Sequence, residues 1–204
     1  MGVMRNALLA LVLPTLAMAE PTYHRVTGVA DDDALNVRGG PSANAVDLGD
    51  LGPDTHRLEV LGFDGSGDWA RIAWGERDGW VSARFLSPDQ PDTLESSSLP
   101  DGLVCNGTEP FWSISLSTSN ARFTEPGAED VALQISDVTV AAGRLGSPAR
   151  VTLHGKDTRA RVTVLGETCS DGMSDRSYGW TAVLDWSRST DARFLSGCCA
   201  ITPQ

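Results

Sequence analysis

The stretch Trp112-Ser-Ile-Ser-Leu-Ser117 alternates apolar and hydroxyl residues without a break, so an extended backbone would give it one apolar and one hydroxyl face. Trp180, Ala182, Leu184 and Trp186 repeat the pattern near the C-terminus. Between them lie the β-branched runs Val131–Ile135, Val138–Val140, Val151–Leu153 and Val162–Val164, separated by glycine-containing turns. Apolar residues rarely recur at three and four positions, and Gly and Pro interrupt the chain too often for long helices. Six or more short strands predict an all-β fold, with residues 101–204 closing as an antiparallel sandwich or barrel.

Outward from this unit, the segment Ser87–Asp101 reads SPDQPDTLESSSLPD, rich in Pro and Ser and free of aromatics. Its composition predicts a flexible linker over residues 89–100 between units at 20–88 and 101–204. At the start of the chain, Arg5, the apolar run Ala7–Val12, Pro14 and Ala17-Met-Ala19 have the layout of a secretory signal peptide, residues 1–19. The apolar run is too short to span a bilayer, so cleavage after Ala19 is expected, with a periplasmic or secreted product and no membrane insertion. The remainder carries 27 acidic and 15 basic residues, a net charge of −12. That balance argues against nucleic acid and anionic lipid as partners.

Cys105, Cys169, Cys198 and Cys199 form an even set in the second half. Adjacent residues of a strand point to opposite sides, so a Cys198–Cys199 bond would need a strained turn. Cys105 and Cys169 are therefore each expected to pair with one of the two, in either order. Zinc knuckles and Cys-x-x-Cys redox spacing are both missing, so structural disulfides are expected rather than a metal or redox site, and no cofactor is implied.

The first unit contains Leu35-Asn-Val-Arg-Gly-Gly-Pro-Ser42, Leu58-Glu-Val60, Trp69-Ala-Arg-Ile72, Gly79-Trp-Val81 and Phe85-Leu-Ser87. In this order and separation the segments resemble the bacterial SH3 (SH3b) family, which implies a small five-to-seven-stranded barrel that binds cell-wall peptides or other peptide segments. Read on their own, Leu35 and Val37 point inward, Gly39–Ser42 turn the chain, and Gly79 opens a hairpin. Ile72 and Trp80 are expected in the core. Trp69 and Trp74 stand beside the acidic turn Asp64–Asp68, and Asp64, Asp68, Trp69 and Trp74 together predict a site for a peptide with a free amine. The turn lacks the further ligands of a calcium loop.

In the second unit, Cys105-Asn-Gly-Thr-Glu-Pro-Phe-Trp112, Cys169–Tyr178 and Gly197-Cys-Cys199 resemble a largely uncharacterised family of bacterial periplasmic proteins and lipoproteins. The resemblance implies an exported β domain and carries no chemistry with it. Met173 is expected to pack on Trp112 or Tyr178. Glu109, Asp171 and Asp175 could serve as general acid and base, or hold a metal with His154, but no spacing fixes such a set. The leading expectation is an exported, non-catalytic envelope protein whose first unit recognises peptidoglycan or a peptide segment of an envelope protein. The alternative is a periplasmic cell-wall hydrolase built on Glu109, Asp171 and Asp175.

Overall fold

Alternation along the chain becomes two antiparallel β units in the structure, a computed structural model that describes residues 20–204. The expected signal peptide lies outside the described residues.

The first unit comprises β1 (Thr22–Val26), β2 (Leu35–Arg38), β3 (Asp47–Leu51), β4 (Leu58–Phe63), β5 (Trp69–Trp74), β6 (Arg77–Ser82) and β7 (Leu86–Pro88). They form one seven-stranded sheet in the order β3-β2-β6-β5-β4-β1-β7. Irregularities at Val37/Arg38 and Val60/Gly62 bend it around a core of Leu35, Val37, Leu58, Val60, Ile72 and Val81. Leu35 and Val37 point inward as expected. Gly79 does not open a hairpin. It is a buried strand residue paired with Ile72, and the turn is Gly75-Glu76. A Cβ at Gly79 would lie 2.5 Å from Val37 Cγ1, so close packing of β2 explains the glycine.

The second unit comprises β8 (Leu103–Thr108), β9 (Phe111–Ser117), β10 (Asn120–Thr124), β11 (Val131–Val140), β12 (Ala149–His154), β13 (Thr158–Leu165), β14 (Cys169–Ser170), β15 (Ser177–Tyr178), β16 (Trp180–Arg188) and β17 (Asp191–Ala200). Eight of these close a barrel in which each strand pairs with the next and β17 returns to β8, while β14 and β15 form a separate small ribbon. The two runs expected within 131–140 are one strand, bulged between Ile135 and Asp137. Trp112, Phe123, Leu153, Trp180, Leu184 and Trp186 fill the interior, with Phe123 and Trp186 stacked at 4.1 Å between ring centroids. Closure removes the exposed edges that a sandwich would leave.

Gly107 sits directly opposite Trp112 in the β8–β9 pair, and a Cβ there would lie 2.0 Å from the indole Nε1. Gly107→Ala must displace a buried ring, and the expected destabilisation is about 1–3 kcal/mol in thermal or urea unfolding.

Two expectations about the units need correction. Leu94 and Leu99, inside the expected linker, are fully buried in the barrel core, with Ser97 bonded to the Leu94 carbonyl. Hydrophobic anchoring of these two residues outweighs the polar composition around them. The units are also not flexibly linked. The Trp180 indole N–H donates to the Tyr23 hydroxyl at 3.0 Å, and the Gly179 N–H donates to Glu59 Oε1 at 3.3 Å. Ser177 donates to the Asp78 carboxylate from its backbone N–H at 2.7 Å and from its hydroxyl at 2.8 Å. The Asp175 N–H reaches the Glu76 carbonyl, and His56 and Gln204 exchange two backbone bonds. Each bond of this kind contributes about 0.5–1.5 kcal/mol.

Candidate functional site

Strand parity decides which aromatic residues of the first unit face solvent. On β5, Ala70 and Ile72 are buried, so Trp74 shares their side and Trp69 and Arg71 take the other. On β6, Gly79 and Val81 are buried, so Trp80 lies on the outer side, opposite Arg71 and Arg38. The expectation that Trp80 is core is therefore wrong: its strand is committed to the core through the residues on either side of it. Ile72 is core as expected.

The four residues expected to form a peptide site do not act together. Trp74 packs against the inner cluster, and its indole N–H donates to the Leu48 carbonyl at 3.1 Å. Trp69 faces outward at the opposite end of the same strand. The Asp64 carboxylate is occupied by its own turn, accepting from the Ser66 N–H, the Ser66 hydroxyl and the Trp69 N–H. These bonds, the Ser66 hydroxyl foremost, hold its pKa below the usual carboxylate value. Asp68 is exposed, and its carbonyl accepts from the Ala83 N–H. The turn shapes the hairpin rather than presenting carboxylates to Trp69.

Trp69 instead lines a groove of about 280 Å³ with Asn36, Arg38, Ser82, Arg84 and Phe85. Arg38 is fixed by Asp47 at 3.3 Å and donates to the Asn36 side-chain oxygen Oδ1 at 2.9 Å. The Arg84 guanidinium lies 4.5 Å from the centre of the Phe85 ring and has no carboxylate within ion-pair distance among the described residues. The groove thus joins an aromatic wall to one unpaired cation, Arg84, and to Arg38, whose charge is shared with Asp47 from outside the lining. Such a lining suits a ligand carboxylate next to an apolar or sugar face.

Carboxylates of the second unit do not form the acid–base set of the hydrolase alternative. Asp171 accepts from the Met173 and Ser174 N–H groups, the Ser174 hydroxyl and the Tyr178 hydroxyl. The two backbone donors, Ser174 first, hold its pKa at about 2. Its stabilising effect is thus present above the ordinary carboxylate pKa and is lost as pH falls toward 2. Asp171 is the hub of the Cys169–Tyr178 loop, and its carbonyl accepts from Thr108 of the β8–β9 hairpin. Glu109 and Asp175 are exposed, and no hydrogen bond joins either carboxylate to Asp171; His154 lies on the outer wall of β12. Among the described residues no group of three or more His, Cys, Asp or Glu is placed to hold a metal ion. Met173, expected to pack on an aromatic ring, is 68% exposed.

Both cysteine bridges form, as Cys105–Cys199 and Cys169–Cys198. The first ties β8 to β17 inside the barrel, and the second ties the Asp171 loop to β17. Because Cys198 and Cys199 alternate in direction, one strand serves both bridges.

The first unit is thus a small, strongly bent β module with an exposed aromatic groove. Residues 33–87 match the family model of the bacterial SH3 domain, a module that commonly binds peptidoglycan or peptides. Searches of curated proteins and of solved structures found no match.

Proposed function

We propose that the protein is an exported, non-catalytic envelope protein whose bacterial SH3 domain binds peptidoglycan stem peptides, or a similar peptide segment of an envelope protein, in the Trp69 groove. The observation that carries this reading is the groove's lining of Trp69, Phe85, Arg38 and Arg84 without a carboxylate. Stem peptides bring carboxylates beside short apolar side chains, which these groups can take up together. Export is supported by two disulfides, which persist in oxidising compartments. The hydrolase alternative has less support, because the Asp171 carboxylate is engaged by its own loop and no hydrogen bond joins it to Glu109 or Asp175.

The test is sedimentation of the full chain with purified sacculi, followed by chromatography of the soluble muropeptides. Binding without new fragments is expected. Trp69→Ala and Arg84→Ala are each expected to weaken binding about tenfold, the size of a central aromatic or arginine contact, with unchanged thermal unfolding. Equal binding by both variants would remove the groove from the reading, and new fragments would return the protein to the hydrolases.

A further inference from the structure

The net charge of the chain conceals a face of opposite sign. Strands β12 and β13 with their turn, Ala149–Leu165, hold four of the sixteen basic residues and one of the twenty-seven acids. Arg150, Arg159 and Arg161 alternate with the buried Ala149, Val151, Ala160 and Val162, so all three point out of the barrel. The register places His154 opposite Arg159 and Thr152 opposite Arg161. Lys156, the only lysine of the chain, lies in the turn between the strands.

Nearby acids neutralise this face only in part. Asp157 is taken by Arg188 at 3.1 Å, and Asp185 meets Arg161 at 3.7 Å. Arg150, Lys156 and Arg159 have no carboxylate within ion-pair distance among the described residues. In register, Arg161 faces Asp185 and Thr152, whereas Arg150 faces only Thr139 and Thr163 and Arg159 only His154 and Ser187, so these two arginines meet no carboxylate across the sheet. Two adjoining clefts of about 300 and 510 Å³ open here and share His154, Arg159 and Ser187.

We propose that this face docks a linear sugar-phosphate or polyol-phosphate polymer, its phosphates on Arg159, Arg161 and Lys156 and its hydroxyls on Thr152, Ser187 and Asp185. Guanidinium groups suit phosphate oxygens, and the neighbouring hydroxyls and carboxylate suit a polyol. The clefts contain no Phe, Tyr or Trp, so a stacked base has no platform. A bilayer would bring the acidic remainder of the chain against an anionic plane. A slender polymer lying along the hairpin avoids it, because screening at physiological salt limits each charge to about 8 Å. The site lies on a different unit from the Trp69 groove and does not depend on it.

Phosphomannan serves as the probe, with unphosphorylated mannan, oligodeoxythymidine and phosphatidylglycerol vesicles as comparisons and the full chain in each arm. Salt-dependent binding to phosphomannan and none to mannan is expected. The double variant Arg159→Ser/Arg161→Ser is expected to lose at least tenfold in affinity and to lower the slope of log K against log salt by about two. Arg122→Ser/Arg144→Ser, two cations outside the hairpin, should bind like the parent. If the first double variant melts early, Lys156→Ser alone is expected to weaken binding two- to threefold. Absence of binding, equal binding by the hairpin variants, or tighter binding to oligodeoxythymidine or vesicles would overturn the proposal.

Discussion

Replacing Cys105 and Cys199 together with alanine is expected to lower the unfolding free energy by about 4–5 kcal/mol, measured by denaturant titration without reductant. The bond joins the first and last strands of the barrel at directly opposed residues, with Cα atoms 3.9 Å apart and 94 positions apart in sequence. Closing so long a loop removes more freedom from the unfolded chain than any local contact can. Both residues are fully buried, so the shortened side chains also leave space inside a packed core. A loss below about 1 kcal/mol would mean that strand pairing alone closes the barrel.

The Cys169–Cys198 bond has a separation of 29, worth about 3–4 kcal/mol in the same chain-entropy account. Its consequences are expected elsewhere. It anchors the loop whose end supplies Asp175 and Ser177 to Glu76 and Asp78 of the first unit. Cys169→Ala/Cys198→Ala should therefore speed amide exchange across the seam between the units while the barrel interior stays protected. Seam and barrel exchanging together would show that the loop is held by its own hydrogen bonds.

How much of this was legible depends on which residues carry the information. Strands were readable because Trp112–Ser117 and Trp180–Trp186 alternate, and the bridge partners were narrowed by the opposed directions of Cys198 and Cys199. The choice of Cys199 for Cys105 was not readable, because it requires the register of β17 against β8. The size of Trp80 points to the core, but its strand parity points outward. Val81 and Ile72 carried the better signal, since parity from those two buried residues sends Trp80 and Trp69 outward and Trp74 inward. Leu94 and Leu99 were lost in the average over a polar segment. The cationic groove joins Arg38 to Arg84 through pairings distant in sequence, which no local pattern shows. The basic hairpin was visible in Arg150–Arg161, but the whole-chain sum of charge masked it.

Glu59 gave no signal at all, and it has the second large expected effect. The residue is 6% exposed between the units, and its carboxylate accepts from the Gly179 N–H and the Tyr23 hydroxyl. Arg57 and Arg176 are the cations around it, and neither forms an ion pair with it. Burial pushes its pKa up to about 7, against the opposing pull of the Gly179 and Ile201 backbone bonds. Burial also raises the pKa of Tyr23, which keeps the hydroxyl protonated and donating. The native protein then binds a proton that the unfolded chain has released, between the ordinary Glu value and about 7. Stability falls as pH rises through that window, by about 3 kcal/mol, and is flat above it. Glu59→Gln removes the ionisable group while keeping an amide oxygen for Gly179. Unfolding free energies at pH 5 and pH 8 should differ by about 2.5 kcal/mol more in the parent than in the variant, and the variant should be the more stable at pH 8. Parallel pH profiles would mean that the seam's hydrogen bonds offset the burial in full, so that the carboxylate titrates in the folded protein as it does in the unfolded chain.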